Sequence, residues 1–157
     1  MSSAATQQQF RPVLQFYLDP KAKARGVKFS PPRDLDAGFD LAVSEDCRVP
    51  AGASALLPTA LHLAIPAGWV GLVRDRSSVA KRGGVTAAGV IDAAYRGGVK
   101  VLLYNHSAEE MIFSVGDRIA QCVIVPHLSG AACSEVSSEA ELGITERGVG
   151  GFGSTGR

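Results

Sequence analysis

Short apolar runs, separated by turn residues, follow one another along most of the chain. Their lengths of three to seven residues, and their content of Val, Ile, Leu and aromatic side chains, favour β-strands over helices. The seven runs are Val13–Tyr17, Phe39–Val43, Leu61–Ile65, Trp69–Val73, Val99–Tyr104, Met111–Phe113 and Ile119–Val125. Turn formers stand between them at Pro31, Pro50, Gly52, Pro58, Pro66, Gly68, Gly83, Gly84, Gly97, Gly98 and Gly116. This pattern predicts an all-β sandwich or barrel.

Two short stretches predict helices. The first is Ser77–Arg82, for which Ser77 or Ser78 is placed to cap the free N–H groups at the start. The second is Ser138–Leu142.

The two ends of the chain differ in composition from its middle. Residues 1–9 are rich in Ser, Ala and Gln and predict a disordered leader, whereas residues 147–157 are rich in glycine and predict a mobile tail. Residues 10–146 then form the β domain. Its last part, from Pro126 to Glu146, is polar and follows the last strand, so it is either an arm packed on another subunit or a disordered C-terminus.

Charge and cysteine content exclude several classes of protein. Lys plus Arg is 16 and Asp plus Glu is 15, so the net charge of +1 disfavours broad phosphate neutralisation on a nucleic acid. No apolar stretch approaches the roughly 18–20 residues that cross a bilayer, and the N-terminus does not resemble a signal peptide. Three widely spaced cysteines, Cys47, Cys122 and Cys133, predict small reduced fillers in a cytoplasmic protein rather than a zinc site.

Glycine is the one residue type in excess, with 18 of 157 residues against a usual level of roughly 7%. Twelve of the 18 lie in segments that also carry the candidate chemistry, which are residues 36–41, 74–84, 89–100, 116–121 and 147–156. Glycine permits close approach of the backbone and sharp turns, so these segments are candidate binding sites.

The segment from Gly89 to Gly97 places an acid three residues before an aromatic ring. Asp92, at a tight turn between two strands, has the position of a general base, and Tyr95 that of a stacking platform. The plainer interpretation is that Asp92 caps the turn and Tyr95 packs against the domain.

Arg76, Ser77 and Ser78 stand at the start of the first predicted helix. Free N–H groups, a guanidinium and two hydroxyls suit a phosphate or polyphosphate. A capped surface helix with solvated arginines is the alternative. The Gly-rich tail offers the same chemistry, since Arg147 neutralises phosphate and Phe152 stacks on a base, although it could equally be a flexible tail without a site.

Two further segments are weaker candidates. Residues 36–41 and 116–121 each predict a turn followed by a strand. In the second of them, Asp117 or Arg118 is expected to enter an ion pair.

Together and in this order, the five segments resemble the five motifs of the trimeric dUTPase family (deoxyuridine triphosphate nucleotidohydrolases). The resemblance implies a jelly-roll-like β fold with one short helix, and a homotrimer whose active sites lie at subunit interfaces. It implies Mg²⁺ as cofactor, bound through substrate phosphates and waters. It also implies hydrolysis of dUTP to dUMP and pyrophosphate by water attack at the α-phosphate, which limits uracil in DNA and supplies dUMP for thymidylate synthesis.

The resemblance also implies a role for each matching residue. Asp92 matches the acid that deprotonates the water, and Asp40 the supporting acid near metal and phosphates. The substrate-binding positions are Arg76, Ser77 and Ser78 for phosphate; Thr86, Gly89, Val90 and Ile91 in the hairpin that reads uracil; Tyr95 under the deoxyribose; Lys100 near the substrate; Gln121 on the phosphate or water side; and Arg147, Phe152 and Gly153 in the closing tail.

Three residues depart from the family pattern, namely Ser78, Ala94 and Gly98, where Gly, a second acid and Glu are frequent. Arg-Ser-Ser is similar to the related dCTP deaminases, which need a catalytic Glu ten positions after the hairpin Asp. Leu102 stands there and cannot carry a proton, so deamination is disfavoured. A non-catalytic nucleotide-binding regulatory module is the other alternative.

Overall fold

β-strands dominate the structure, a computed structural model that describes residues 13–128 and 133–145. Within these residues the chain forms ten strands and two short α-helices, which confirms the predicted all-β class. The strands are β1 (Gln15–Leu18), β2 (Phe39–Ala42), β3 (Cys47–Val49), β4 (Ser54–Ala64), β5 (Trp69–Asp75), β6 (Gly84–Ala87), β7 (Val90–Ile91), β8 (Gly98–Asn105), β9 (Met111–Phe113) and β10 (Arg118–Pro126). The helices are α1 (Pro20–Ala24) and α2 (Ser77–Ala80).

Two antiparallel sheets and a small ribbon organise these strands. Sheet 1 has the order β1-β4-β8-β6, sheet 2 has the order β2-β10-β5-β7, and β3 pairs with β9. Neighbours in a sheet are mostly distant in sequence. Residues from motifs far apart along the chain are thereby placed side by side.

The core forms because alternate residues of the long strands point inward. On β8, for example, Val99, Val101 and Leu103 are buried, and the residues between them are not. Buried side chains of both sheets belong to one hydrophobic cluster. A buried Thr59 donates its hydroxyl to the Val99 carbonyl at 2.7 Å, so this polar group is satisfied.

The prediction of a turn at Pro58 is wrong. Pro58 lies inside strand β4 rather than between two elements, and the pairing register with β8 shifts between Pro58 and His62. Ala60, within the irregular stretch, has a φ of 54°. Proline has no N–H for the ladder and is tolerated at a bulge, which is the physical reason that it does not end the strand.

Helix α1 and the short strands β3, β6 and β7 were not among the predicted runs. In α1, the Asp19 carboxylate accepts a hydrogen bond from the Lys21 N–H at 2.7 Å, and Pro20 occupies the first turn. An element of two to five residues is too short to show a hydrophobic period. The predicted second helix is confirmed as a 3₁₀ helix at Glu139–Leu142.

The cysteines divide into two groups. Cys47 and Cys122 are buried free thiols, as predicted, and burial raises the pKa of Cys122 to about 12 and that of Cys47 above its ordinary value. Cys133 is exposed, so its prediction as a filler is wrong. It lies in a polar stretch that has no core around it to fill.

The described residues 128 and 133–145 belong to a second compact unit of the chain. Its described part carries the 3₁₀ helix and exposes Leu142 and Ile144. None of the helices in the described ranges is long and apolar enough to cross a membrane.

Candidate active site

Asp92 lies at the mouth of a pocket, directly after β7. The buried Ile91 anchors the strand, and the Asp92 carbonyl accepts a hydrogen bond from the Tyr95 N–H at 3.0 Å, closing the predicted turn. The Asp92 side chain itself is exposed. The pocket has a volume of about 300 Å³ and is lined by Leu56, Val73, Ala88, Val90, Ile91, Asp92, Tyr95, Gly98, Val99 and Lys100.

Tyr95 is held in place by its own turn. Its hydroxyl donates to the Gly98 carbonyl at 3.1 Å. A Cβ on Gly97 would collide with the ring, so only glycine leaves room for it. About half of the tyrosine remains exposed, which leaves ring surface available to a ligand.

The segment that follows β6 crosses between the sheets. β6 pairs with β8 in sheet 1, whereas β7 pairs with β5 in sheet 2. The prediction of a hairpin in which these two strands pair with each other is therefore wrong. Each strand is too short to satisfy its backbone alone and completes the edge of a longer neighbour instead.

The turn from Ala87 to Val90 is packed tightly on β5. The Gly89 carbonyl accepts a hydrogen bond from the Val73 N–H at 2.7 Å, and a Cβ at Gly89 would lie 2.7 Å from the Val73 carbonyl oxygen. Ala88 has a φ of 48°, a conformation that residues other than glycine seldom adopt. The backbone of this turn is thus closely fixed beside the pocket.

Asp75 at the end of β5 supports the same turn. Its Oδ1 accepts hydrogen bonds from both the Thr86 N–H and the Thr86 hydroxyl, each at 2.7 Å. The Gln121 side-chain amide donates to the Asp75 carbonyl at 3.0 Å. Asp75 was not among the predicted site residues, and the available signal was an acid between two arginines directly before the predicted helix.

The predicted cap of helix α2 is wrong. Arg76, not Ser77 or Ser78, is the N-cap, and among the described residues no side chain caps this helix. The helix begins early enough to place both serines in its first turn, where they are exposed. Their hydroxyls therefore remain accessible, and Ser78 Oγ lies 3.5 Å from an Arg76 guanidinium nitrogen.

Arg76 and Arg118 converge on one carboxylate. Arg76 Nε lies 2.7 Å from Asp40 Oδ1, and an Arg118 guanidinium nitrogen lies 3.2 Å from Asp40 Oδ2. The prediction that Asp117 or Arg118 enters an ion pair is confirmed for Arg118. These side chains and Gln121 line a polar pocket of about 620 Å³ together with the loop of residues 30–37.

The loop on the far side of this polar pocket carries a second ion pair. Arg33 Nε lies 2.9 Å from Asp36 Oδ2. Hydrogen bonds from Arg33 to the carboxylate, followed by its charge, hold the pKa of Asp36 below its ordinary value. Both partners are exposed to solvent, so this pair organises the loop more than it stabilises the fold.

Most of the predicted residues within the described ranges line three pockets of one chain. Asp92, Tyr95, Lys100, Val90 and Ile91 line the first pocket, whereas Asp40, Arg76 and Gln121 line the polar pocket. Thr86 and Gly89 line a smaller pocket of about 230 Å³ that shares Val90 with the first. Arg147, Phe152 and Gly153 lie outside the described residues.

A family model described as dUTPase matches residues 25–156, which is most of the chain. The chain belongs to the dUTPase family. A deoxyuridine 5'-triphosphate nucleotidohydrolase from Candida albicans is 48% identical over 124 residues, covering 78% of this chain and 77% of that protein.

Solved dUTPases show the same fold. The dUTPase of Staphylococcus bacteriophage 80alpha, solved with dUPNHPP, is 26% identical with a TM-score of 0.79, covering 92% of this chain and 99% of that one. A mutant dUTPase from phage phi11 of S. aureus, described as coordinating a structural Mg(II) ion, is 25% identical with a TM-score of 0.68, covering 82% of this chain and 99% of that one.

Membership of the dUTPase family disfavours the deaminase alternative, and the structure agrees. Leu102 lies on β8, where it pairs with Leu56 of β4 and Ala87 of β6. Both cross-strand partners are apolar, and the leucine itself has no group that could transfer a proton.

Proposed function

We propose that this protein hydrolyses dUTP to dUMP and pyrophosphate, with a water molecule attacking the α-phosphate. The pocket that brings together Asp92, Tyr95, Lys100 and the fixed backbone of the Ala88–Ile91 segment carries this proposal. Its volume of about 300 Å³ suits a nucleoside.

Asp92 acts as the general base in this proposal. Its carboxylate stands at the pocket mouth on a closed turn, where it orients the attacking water and accepts its proton. Lys100, exposed at the same pocket, supplies positive charge toward the phosphates.

Base and sugar are recognised by parts of the site that cannot easily move. The Tyr95 ring, held by the Gly98 carbonyl, packs under the deoxyribose, where a 2′-hydroxyl would clash. Backbone groups of the Gly89, Val90 and Ile91 segment that are not bonded to β5 read the edge of uracil; the Gly89 carbonyl is already bonded to the Val73 N–H. A small pocket with a backbone fixed in this way excludes the methyl group of thymine by shape and cytosine by its donor and acceptor pattern.

The triphosphate chain is bound by the arginine group. Arg76, with the accessible hydroxyls of Ser77 and Ser78, supplies charge and hydrogen bonds, and Asp40 holds the guanidinium in position. Gln121 fixes the backbone at Asp75, immediately before Arg76.

In this proposal the protein is a homotrimer, and a neighbouring chain completes each active site. On a single chain the described catalytic residues and the phosphate-binding residues line separate pockets. The outward face of sheet 1 exposes Leu56, Val85 and Tyr104, and Val85 pairs directly with Tyr104 across the sheet. Because Leu56 also lines the Asp92 pocket, a copy packed on this face would reach the catalytic centre.

The residues of this site fit a Mg²⁺ ion that is coordinated mainly by the substrate and by water. Among the described residues, no three His, Cys, Asp or Glu side chains lie together as a metal cage, and both Asp40 oxygens face arginines. Mg²⁺ is commonly held through phosphates and waters, which is the donor set that dUTP would bring here. When bound, the ion neutralises phosphate charge.

The tail of residues 147–157 closes the site in this proposal, with Phe152 stacked on uracil, Arg147 on the γ-phosphate and Gly153 allowing close approach. Deleting residues 147–157 should leave a folded trimer with poor catalysis, because the tail excludes bulk water without contributing to the core. Size-exclusion chromatography and steady-state kinetics on the truncated protein measure both properties. An unfolded product would show instead that the tail is structural.

We propose further that the protein binds no nucleic acid and works in the cytoplasm, and the composition supports both points. The net charge of +1 provides no broad footprint for a nucleic acid, and the buried reduced thiols suit the cytoplasm. The leader of residues 1–9 has no assigned role.

One assay tests the proposed reaction. Purified protein is incubated with Mg²⁺ and either dUTP or dCTP, and pyrophosphate and ammonia are measured. Pyrophosphate from dUTP alone supports the proposal. Release of ammonia from dCTP would establish a deaminase. The absence of product from both nucleotides would favour a non-catalytic nucleotide-binding module.

A further inference from the structure

Asp75 joins the two sheets beside the catalytic pocket. It ends β5 of sheet 2, and its carboxylate holds Thr86 on β6 of sheet 1 through two hydrogen bonds of 2.7 Å. Both bonds reach the same oxygen, and hydrogen bonds to a charged acceptor are stronger than neutral ones. The contact is partly buried, so water competes weakly for these donors.

The segment that Asp75 holds leads into the Ala87–Val90 turn, which faces the uracil base in the proposed complex. Thr86 stands two residues before Ala88, whose φ of 48° costs conformational free energy, and three before Gly89, which packs closely on the Val73 carbonyl. A strained turn keeps its shape only where its surroundings fix it. Two contacts with β5 do so here, the Val73 to Gly89 hydrogen bond and the Asp75 to Thr86 pair.

Asp75 also connects this turn to the phosphate side. Its own carbonyl is held by Gln121, and the next residue is Arg76, which binds Asp40. Asp75 thus links the base-reading turn directly to the start of the phosphate-binding segment, in addition to the Val73 to Gly89 hydrogen bond.

We propose that Asp75, acting through Thr86, is a positioning residue that sets the base-reading turn and thereby the discrimination between dUTP and other pyrimidine triphosphates. This inference rests on the proposed function. Asp75 touches no substrate in this scheme. Its effect passes through the position of the Ala87–Val90 backbone relative to β5.

The test compares kcat and KM for dUTP, dTTP and dCTP in the full-length protein and three variants. Asp75→Ala removes the acceptor, Thr86→Val removes the hydroxyl while keeping the shape, and Asp75→Asn retains one oxygen that can accept both bonds. We expect Asp75→Ala to reduce the dUTP to dTTP ratio of kcat/KM by about tenfold, the effect of losing a charged hydrogen bond. Thr86→Val should reduce it less, and Asp75→Asn should restore most of it.

A double variant and a matched control separate positioning from stability. Asp75→Ala with Thr86→Val should be no worse in discrimination than Asp75→Ala alone, because both substitutions break one contact. Asp46→Ala removes a comparable carboxylate, whose Oδ1 accepts the Val115 N–H at 2.9 Å away from the pocket. It should lower the melting temperature without changing the dUTP to dTTP ratio.

The outcomes distinguish this inference from the reaction itself. A wild-type protein that releases no pyrophosphate from dUTP would overturn the proposed function and this inference together. An active wild type whose discrimination is unchanged in Thr86→Val and Asp75→Ala would overturn this inference alone. If Asp75→Ala does not fold, unchanged discrimination in Thr86→Val, which folds without the hydroxyl contact, overturns it equally.

Discussion

At the scale of single residues, the proposed reaction assigns the chemistry to Asp92, whose side chain contributes little to the fold. Its backbone closes a turn with Tyr95, whereas its carboxylate is exposed at the pocket. Replacing the carboxylate by an amide leaves the turn intact and removes the base. We expect Asp92→Asn to lose about 10²–10⁴-fold in kcat while dUTP still binds, the usual contribution of a general base.

Single-turnover kinetics and equilibrium binding of dUTP check this pair of effects. Asp46→Asn, at a carboxylate outside the site, is the control and should keep its turnover. Substantial turnover in Asp92→Asn would contradict the role of Asp92.

The burial of the cysteine side chains also predicts which thiols react with a labelling reagent. Burial raises the pKa of Cys122 to about 12, so at about pH 8 almost no thiolate is present, and the group is covered. We expect a thiol reagent to label exposed Cys133 in the native protein and to reach Cys122 only after denaturant is added. Mass spectrometry of the labelled peptides checks this. Equal native labelling of Cys122 and Cys133 would contradict the packing described here.

At the scale of elements, the turn between β6 and β7 is the part of the site most sensitive to packing. A methyl group at Gly89 would lie 2.7 Å from the Val73 carbonyl, so either the turn or β5 must shift. We expect Gly89→Ala to cost about 1–3 kcal/mol of stability, as overpacking does. It should also lower kcat/KM for dUTP.

The comparison for Gly89→Ala is Gly52→Ala. Gly52 has a φ of 67° with open space around it, so alanine there is strained but touches nothing in the site. Thermal unfolding should show both variants destabilised, whereas only Gly89→Ala should lose activity. Unimpaired kinetics in Gly89→Ala would show that the turn can move without consequence.

Whole-molecule organisation determines whether the proposed site exists at all. Neither Asp92→Asn nor Arg76→Ala should be active alone, but in the proposed homotrimer a mixed assembly would place an intact Asp92 and an intact Arg76 in the same site. Equal amounts of the two variants, unfolded and refolded together, should recover about a quarter of wild-type activity by random assembly.

A second mixture serves as the control for this experiment. Asp92 and Tyr95 line one pocket of one chain, so mixing Asp92→Asn with Tyr95→Ala should restore nothing. If Asp92→Asn and Arg76→Ala also restore nothing, although mixed trimers form, then each site is built within a single chain.

Much of the architecture was predictable from local pattern. Runs rich in Val, Ile and Leu identify β8 and β10 as strands, and on β8 the burial of one face follows a period of two. The candidate residues that line the two pockets were also found from their motifs. Elements without such a pattern, such as the two residues of β7, were found only as part of a motif.

The sequence by itself determined the strand class, the motifs and their family, since these depend on residue type and order along the chain. The tertiary structure decided which strands pair, and hence that β6 and β7 belong to different sheets. It also decided that Pro58 makes a bulge, that Arg76 occupies the N-cap position of α2, and that Asp75 reaches Thr86. Those contacts join residues of different elements, and their distances arise only when both sheets pack around one core.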